Sequence, residues 1–288
     1  MRKLSAILLT LMIIICSTVL TAAADEGIKV TIDEGADLFF RTVDGLRCGT
    51  DPESGGTFSE IEGVETTTSD GMTTVFLPAD NTYLIWLNEK ENSTGEAYNA
   101  SVVSGSWSAD LIELFPAVSN PTLVVNSPSR YLSEESFLFE KLTVISQPDA
   151  FPMLTFNVAT PAGQCTLKAD PTFSILSTPD AARESQAEMV VTVFPESGQL
   201  SFWISAINHI EDYPDSKFML HTRISCDNGE KTVSAKSVQT NLPVLHENGI
   251  LFFDFNEFME EADSFLFADL DGDDVYETTS AAGFFEFE

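Results

Sequence analysis

The sequence predicts an all-β protein: two or three antiparallel, immunoglobulin-like (Ig-like) β-sandwich modules with at most short helices. Three observations predict it. Short runs rich in Val, Ile, Thr, Phe and Tyr alternate with period two, the spacing that sends successive side chains to opposite faces of a strand. The runs recur about every ten residues, with Gly, Pro and Asn between them. Only two short segments read as helical, 134–142 and 256–262, the second with Asn256 as a candidate N-cap.

Taken in order, the chain begins with Met1-Arg2-Lys3, an apolar run from Leu4 to about Leu20, and Thr21-Ala22-Ala23-Ala24 before Asp25. Positive, apolar and small-residue regions in that order are those of a secretory signal peptide, so 1–24 is expected to be removed and the protein to be secreted, extracellular or on the cell surface. Strand-like runs then follow at 73–77, 82–87 and 97–103. Residues 25–106 are therefore read as an N-terminal β-sandwich module. From about Trp107 the composition turns to Ser and Pro, with Phe115-Pro116, Asn120-Pro121 and Ser127-Pro128 marking turns. The β-rich region 107–288 carries strand-like runs at 122–125, 142–145, 153–158, 189–194, 200–207, 218–225, 232–238 and 251–255. Ser177-Thr178-Pro179-Asp180 is the best internal break, dividing that region into 107–178 and 179–288.

Charge narrows the partners. The 288 residues hold 14 Lys and Arg against 45 Asp and Glu, a formal net charge of −31. Such a surface repels nucleic acid and anionic membranes, both of which need a basic footprint. Outside the leader the chain has three cysteines, Cys48, Cys165 and Cys226. Their number is odd and their spacing is not that of metal ligands; Cys165 with Cys226 is the best candidate bridge, and buried free thiols are the alternative.

The residues Gly45-Leu46-Arg47-Cys48-Gly49-Thr50-Asp51-Pro52-Glu53-Ser54-Gly55, then Glu60-Ile61-Glu62-Gly63-Val64, then Leu77-Pro78 with Asn81-Thr82-Tyr83, form a recognisable series. It resembles a β-sandwich accessory module of secreted bacterial and archaeal proteins. In that module a Gly-x-Arg-x-Gly-x-Asp-Pro turn is followed by an Ile-Pro-Gly corner and a Pro-x-x-x-x-Tyr strand. Glu62 stands where proline is usual, and Cys48 is a second departure. The resemblance implies a non-catalytic module that accompanies other extracellular domains. Independently of it, Trp86 in an alternating strand reads as a core residue. Trp86, Trp107 and Trp203 as a sugar-stacking platform is the functional alternative.

No catalytic motif stands out. His209, His221 and His246 are not at spacings that put two ligands on one helix face, and no nucleophile elbow, phosphate loop or dinucleotide fingerprint occurs. The one run whose spacing specifies a chemistry is Asp269-Leu270-Asp271-Gly272-Asp273-Asp274-Val275-Tyr276-Glu277. Carboxylates at positions one, three and five of a curled loop converge, and a carbonyl at seven with an acid at nine extends the oxygen shell. The expected ligands are Asp269, Asp271, Asp273, the Val275 carbonyl and Glu277, and the expected ion is Ca²⁺ in a structural role. The run resembles an EF-hand-like calcium loop. It departs at the sixth position, Asp274 in place of glycine, and at the twelfth, Ser280 in place of a bidentate Glu. The flanks 264–268 and 275–279 alternate like strands, so the loop is expected on a β-hairpin.

These features predict a non-catalytic extracellular binding or adhesion protein for a glycan or protein ligand. A secreted glycan hydrolase with a carboxylate pair and a purely structural envelope component are the alternatives.

Overall fold

The computed structural model describes residues 27–79, 81–90, 95–115, 121–126, 140–160, 163–176, 186–194, 199–207, 217–246 and 248–288. The expected leader, His209 and the break at 177–180 lie outside the described residues.

Twenty-one strands follow one another among the described residues. The first seven are β1 Ile28–Asp33, β2 Ala36–Thr42, β3 Arg47–Thr50, β4 Thr57–Ser59, β5 Glu65–Ser69, β6 Met72–Leu77 and β7 Thr82–Glu89. Next come β8 Tyr98–Ser104, β9 Trp107–Leu114, β10 Thr122–Asn126, β11 Glu140–Ser146, β12 Met153–Thr160, β13 Gly163–Ile175 and β14 Gln186–Phe194. The last are β15 Gln199–Ile207, β16 Phe218–Asp227, β17 Thr232–Ser237, β18 Val244–Leu245, β19 Ile250–Asp254, β20 Leu266–Asp269 and β21 Phe285–Phe287. One α-helix, α1 Phe255–Met259, stands among the described residues beside a 3-10 turn at Pro148–Ala150.

The strands form two antiparallel sheets. One runs β21-β17-β16-β13-β12-β9-β8-β1-β6-β5 with β18 beside β16, and the other runs β20-β19-β15-β14-β11-β10-β7-β2-β3-β4. From β8 onward the chain lays successive strand pairs alternately into the two sheets, β8–β9, then β10–β11, β12–β13, β14–β15, β16–β17 and β19–β20, so both sheets grow in the same direction. Residue 106 lies in the turn joining β8 to β9, and both sheets run on through this part of the chain, β9 pairing with β12 and β10 with β7.

Period two decides what is inside. Tyr83, Ile85 and Leu87 of β7 are fully buried, as are Val30 and Ile32 of β1, and the inward rows of the two sheets form one apolar cluster from Ile28 to Phe285. Trp107 fills this interior, stacked on Phe156 at 5.1 Å between ring centres. The Tyr83 hydroxyl is not left unpaired by burial: it donates to the Pro78 carbonyl at 2.9 Å, tying the Pro-x-x-x-x-Tyr strand to its own entry turn. Trp86 corrects the sequence reading. Residues 83, 85 and 87 own the inner face, so Trp86 points outward, half-buried, against Phe39 at 5.4 Å.

Two helix expectations also change. Residues 140–142 belong to strand β11, while 134–139 lie outside the described residues. The helix near 256 exists, but its N-cap is Asp254, whose carboxylate accepts from Glu257 N at 2.9 Å. It drives Phe258 and Met259 into the end of the sandwich. There Phe265 packs against Phe253, Phe258, Phe285 and Phe287. No helix among the described residues is long and apolar enough to cross a membrane.

Candidate metal centre

The acidic loop starts where the second sheet ends. β20 is that sheet's last strand, β21 is the last strand of the other sheet, and residues 270–284 connect them around the end of the sandwich. An outermost strand offers unpaired backbone groups, a liability unless covered. The loop covers it: Glu277 N donates to the Ala268 carbonyl at 2.9 Å, and Ala268 N to the Thr278 carbonyl at 3.1 Å. This single antiparallel bridge is the whole of the second flank, so the expected strand at 275–279 shrinks to Thr278. The reason is local. Val275 N donates to Asp273 Oδ1 at 2.9 Å, which satisfies the backbone inside the loop rather than in a ladder.

Asp269, 3% exposed, organises the curl. Its Oδ1 accepts from Gly272 N at 2.8 Å and Asp273 N at 3.3 Å, and its Oδ2 from Asp274 N at 2.9 Å. Gly272 at φ 76° and Asp274 at φ 66° turn the chain through the left-handed region; aspartate tolerates it better than most residues, so the loop closes without the usual sixth-position glycine. From the other side His246 N donates to the Leu270 carbonyl at 2.9 Å. Gly249 lies so close that an added Cβ would come within 3.1 Å of the same oxygen.

With the backbone held this way, Asp269, Asp271 and Asp273 each bring a carboxylate oxygen within 4.8 Å of the others. Asp271 and Asp273 are open to solvent, Asp269 is not. Three like charges at that separation repel by about 1 kcal/mol per pair at the dielectric of water and by about 3 kcal/mol per pair at a partly buried surface. A cation seated between them reverses the sign. Asp269 Oδ2 takes one N–H and retains a free lone pair for such an ion, so the donor set fits a hard cation. Glu277 stands across the loop with Oε2 2.6 Å from Leu270 N, and the Val275 side chain is exposed.

The remaining sequence candidates separate. Cys165 and Cys226 are buried free thiols on the paired strands β13 and β16. Burial pushes the Cys165 thiol up to about 12 and the Cys226 thiol well above its ordinary range. The three tryptophans do not form one platform. Trp107 is core, whereas Trp86 and Trp203 lie half-buried on the outer face of the second sheet, on β7 and β15, strands separated by β10, β11 and β14. His221 is half-buried on β16, and His246 serves the loop through its backbone.

Sequence reasoning missed two polar features. One is Glu140, 4% exposed on the inward face of β11, whose Oε2 has no partner among the described residues; the sign was a charged residue in register with Leu142 and Val144. The other is a cleft at the opposite end of the second sheet, beside Arg41, Arg47 and Trp86. Its signal was two arginines at the ends of one turn, with Arg41 directly opposite Arg47 across β2 and β3.

Fold and site together define an all-β sandwich whose closing loop carries an acidic cluster able to hold a metal ion. No protein-family model matches the chain, and no curated protein matches it.

Proposed function

We propose that this chain is an exported, non-catalytic binding or adhesion protein whose terminal loop is a structural Ca²⁺ site. The observation that supports it best is the convergence of Asp269, Asp271 and Asp273 on a loop whose backbone is already folded around Asp269. An all-oxygen carboxylate set with solvent on one side suits Ca²⁺, which takes six to eight oxygen ligands in flexible geometry and completes its shell with water. Without a bidentate twelfth-position ligand, Ser280 standing there, the affinity is that of extracellular modules, on the order of 10⁻⁴ to 10⁻³ M. The ion would clamp the loop over β20 and so close the exposed end of the sheet. Export is supported by the signal-like order of residues 1–24, and a binding role by the absence of any sequence motif for catalysis together with a large, acidic β-surface.

The experiment is a glycan and protein-ligand binding array run beside a glycan hydrolysis screen, with the leader-free chain in Ca²⁺. Saturable binding without turnover supports the reading. Turnover abolished by a single carboxylate substitution replaces it with the hydrolase. Neither binding nor turnover leaves the structural envelope component.

A further inference from the structure

The outer face of the second sheet ends in a cleft of about 370 Å³, within the size range of small-ligand sites. Its floor is cross-strand pairing made visible: Phe39 sits opposite Trp86 on one side and opposite Gly49 on the other. Phe39 is covered while Trp86 keeps part of its indole open. The rim is the turn after β3, a closed unit in which Asp51 accepts from Glu53 N at 3.0 Å and Ser54 Oγ at 2.6 Å. Those bonds, Ser54 first, hold the Asp51 carboxyl below its usual range, and they leave the Glu53 carboxylate exposed on the rim.

Two arginines line the cleft from directly opposed register positions, Arg41 on β2 and Arg47 on β3, and like charges at such positions cost stability unless each is compensated. Arg47 is compensated: it forks onto Glu60 through Nε at 3.2 Å and Nη2 at 2.9 Å, and its guanidinium lies 3.7 Å over the Phe58 ring. Arg41 is not. Its guanidinium makes no ion pair or hydrogen bond with the described residues, in a chain with 45 acidic side chains available. A partly exposed indole, an exposed carboxylate and an unpaired planar cation thus line one cleft.

We propose that this cleft binds an acidic sugar: a uronate residue of a glycan, its ring stacked on Trp86, its carboxylate on the Arg41 fork, and a ring hydroxyl donating to Glu53. The assignment rests on the reading of the chain as a binding protein and names its ligand class. The chemistry selects among anions. Planar guanidinium matches a carboxylate bidentately. The apolar face of a pyranose matches an indole. A phosphate dianion meets repulsion from Asp51 and Glu53, and an acidic peptide side chain brings no hydroxyl for Glu53.

The test is calorimetric and tryptophan-fluorescence titration of the leader-free chain with di- and trisaccharides of galacturonate, glucuronate and mannuronate. Their methyl-esterified forms, which keep the ring and mask the charge, are titrated beside them, as is a short poly-glutamate peptide. The expected result is saturable binding of at least one uronate. It weakens at least about tenfold in the methyl ester and in Arg41→Gln, with the fluorescence change lost in Trp86→Leu. Failure of all three uronates, equal binding of ester and acid, equal binding by Arg41→Gln, or preference for the peptide overturns the assignment. The binding array keeps the two readings apart. Ligands retained equally by Arg41→Gln overturn the cleft assignment alone, whereas an array with no ligand overturns the binding role itself.

Discussion

Glu140→Gln is the substitution whose effect can be worked furthest from the structure. Glu140 lies between the sheets, its carboxylate packed so closely on Gly105 that a Cβ there would come within 2.8 Å of Oε1. Burial raises its pKa from the ordinary 4.5 to about 7, and Trp107, near it but without a hydrogen bond that meets distance and angle, offsets only part of this. The folded state therefore holds the proton more tightly than the unfolded chain. Below pH 4.5 both states are protonated and the residue costs nothing through ionisation. Between pH 4.5 and about 7 the unfolded chain releases the proton while the folded chain keeps it, and stability falls by about 1.4 kcal/mol per pH unit. Above about pH 7 both are ionised and the loss stops, having reached about 3 kcal/mol. Glutamine keeps the shape and cannot ionise. Urea unfolding followed by tryptophan fluorescence at pH 5, 6, 7 and 8 should show the stability gap widening in favour of Glu140→Gln by about 2–3 kcal/mol from the acid to the alkaline end. A gap that stays constant across that range refutes the argument.

Two further outcomes are expected. Gly49 has φ 98°, and an added Cβ would lie 2.2 Å from the Leu38 carbonyl oxygen, so Gly49→Ala should lower the melting temperature by several degrees, for a loss on the order of 1–3 kcal/mol, read by differential scanning calorimetry. Cys165 and Cys226 are buried with raised thiol pKa values, so an aromatic disulfide reagent at pH 8 should label the folded leader-free chain at half-buried Cys48 alone and all three cysteines in urea.

What the sequence disclosed, and what it did not, follows from which signals are local. Alternation is local, so the fold class and runs such as 82–87 and 218–225 were readable, and they lie within β7 and β16. Which face is inner is not local when both faces are apolar, as in Thr82-Tyr83-Leu84-Ile85-Trp86-Leu87, and Trp86 was assigned to the wrong side. β2 was missed for the same reason, since Leu38, Phe39 and Phe40 are apolar in succession and only Phe39 faces out. β13 hid behind Pro171. A proline is tolerated there because the β12 ladder ends at Leu154 opposite Ala169, leaving residues 170–175 paired with β16 alone. The acidic loop was legible because its chemistry is written in consecutive residues. The cleft was not, because Arg41 and Trp86 meet only through the pairing of β2 with β7.

The proposed Ca²⁺ site of the closing loop is tested by thermal melting of the leader-free chain in millimolar Ca²⁺ and in EGTA, beside Asp271→Ala. Asp271 is the choice because it is exposed and takes part in none of the loop's side-chain hydrogen bonds, whereas Asp269 holds the backbone itself. The proposed Ca²⁺ clamp requires a higher melting temperature in Ca²⁺ than in EGTA for the natural chain, and a difference that vanishes in Asp271→Ala. Identical melting curves in Ca²⁺ and EGTA, or a difference that survives the substitution, would contradict it.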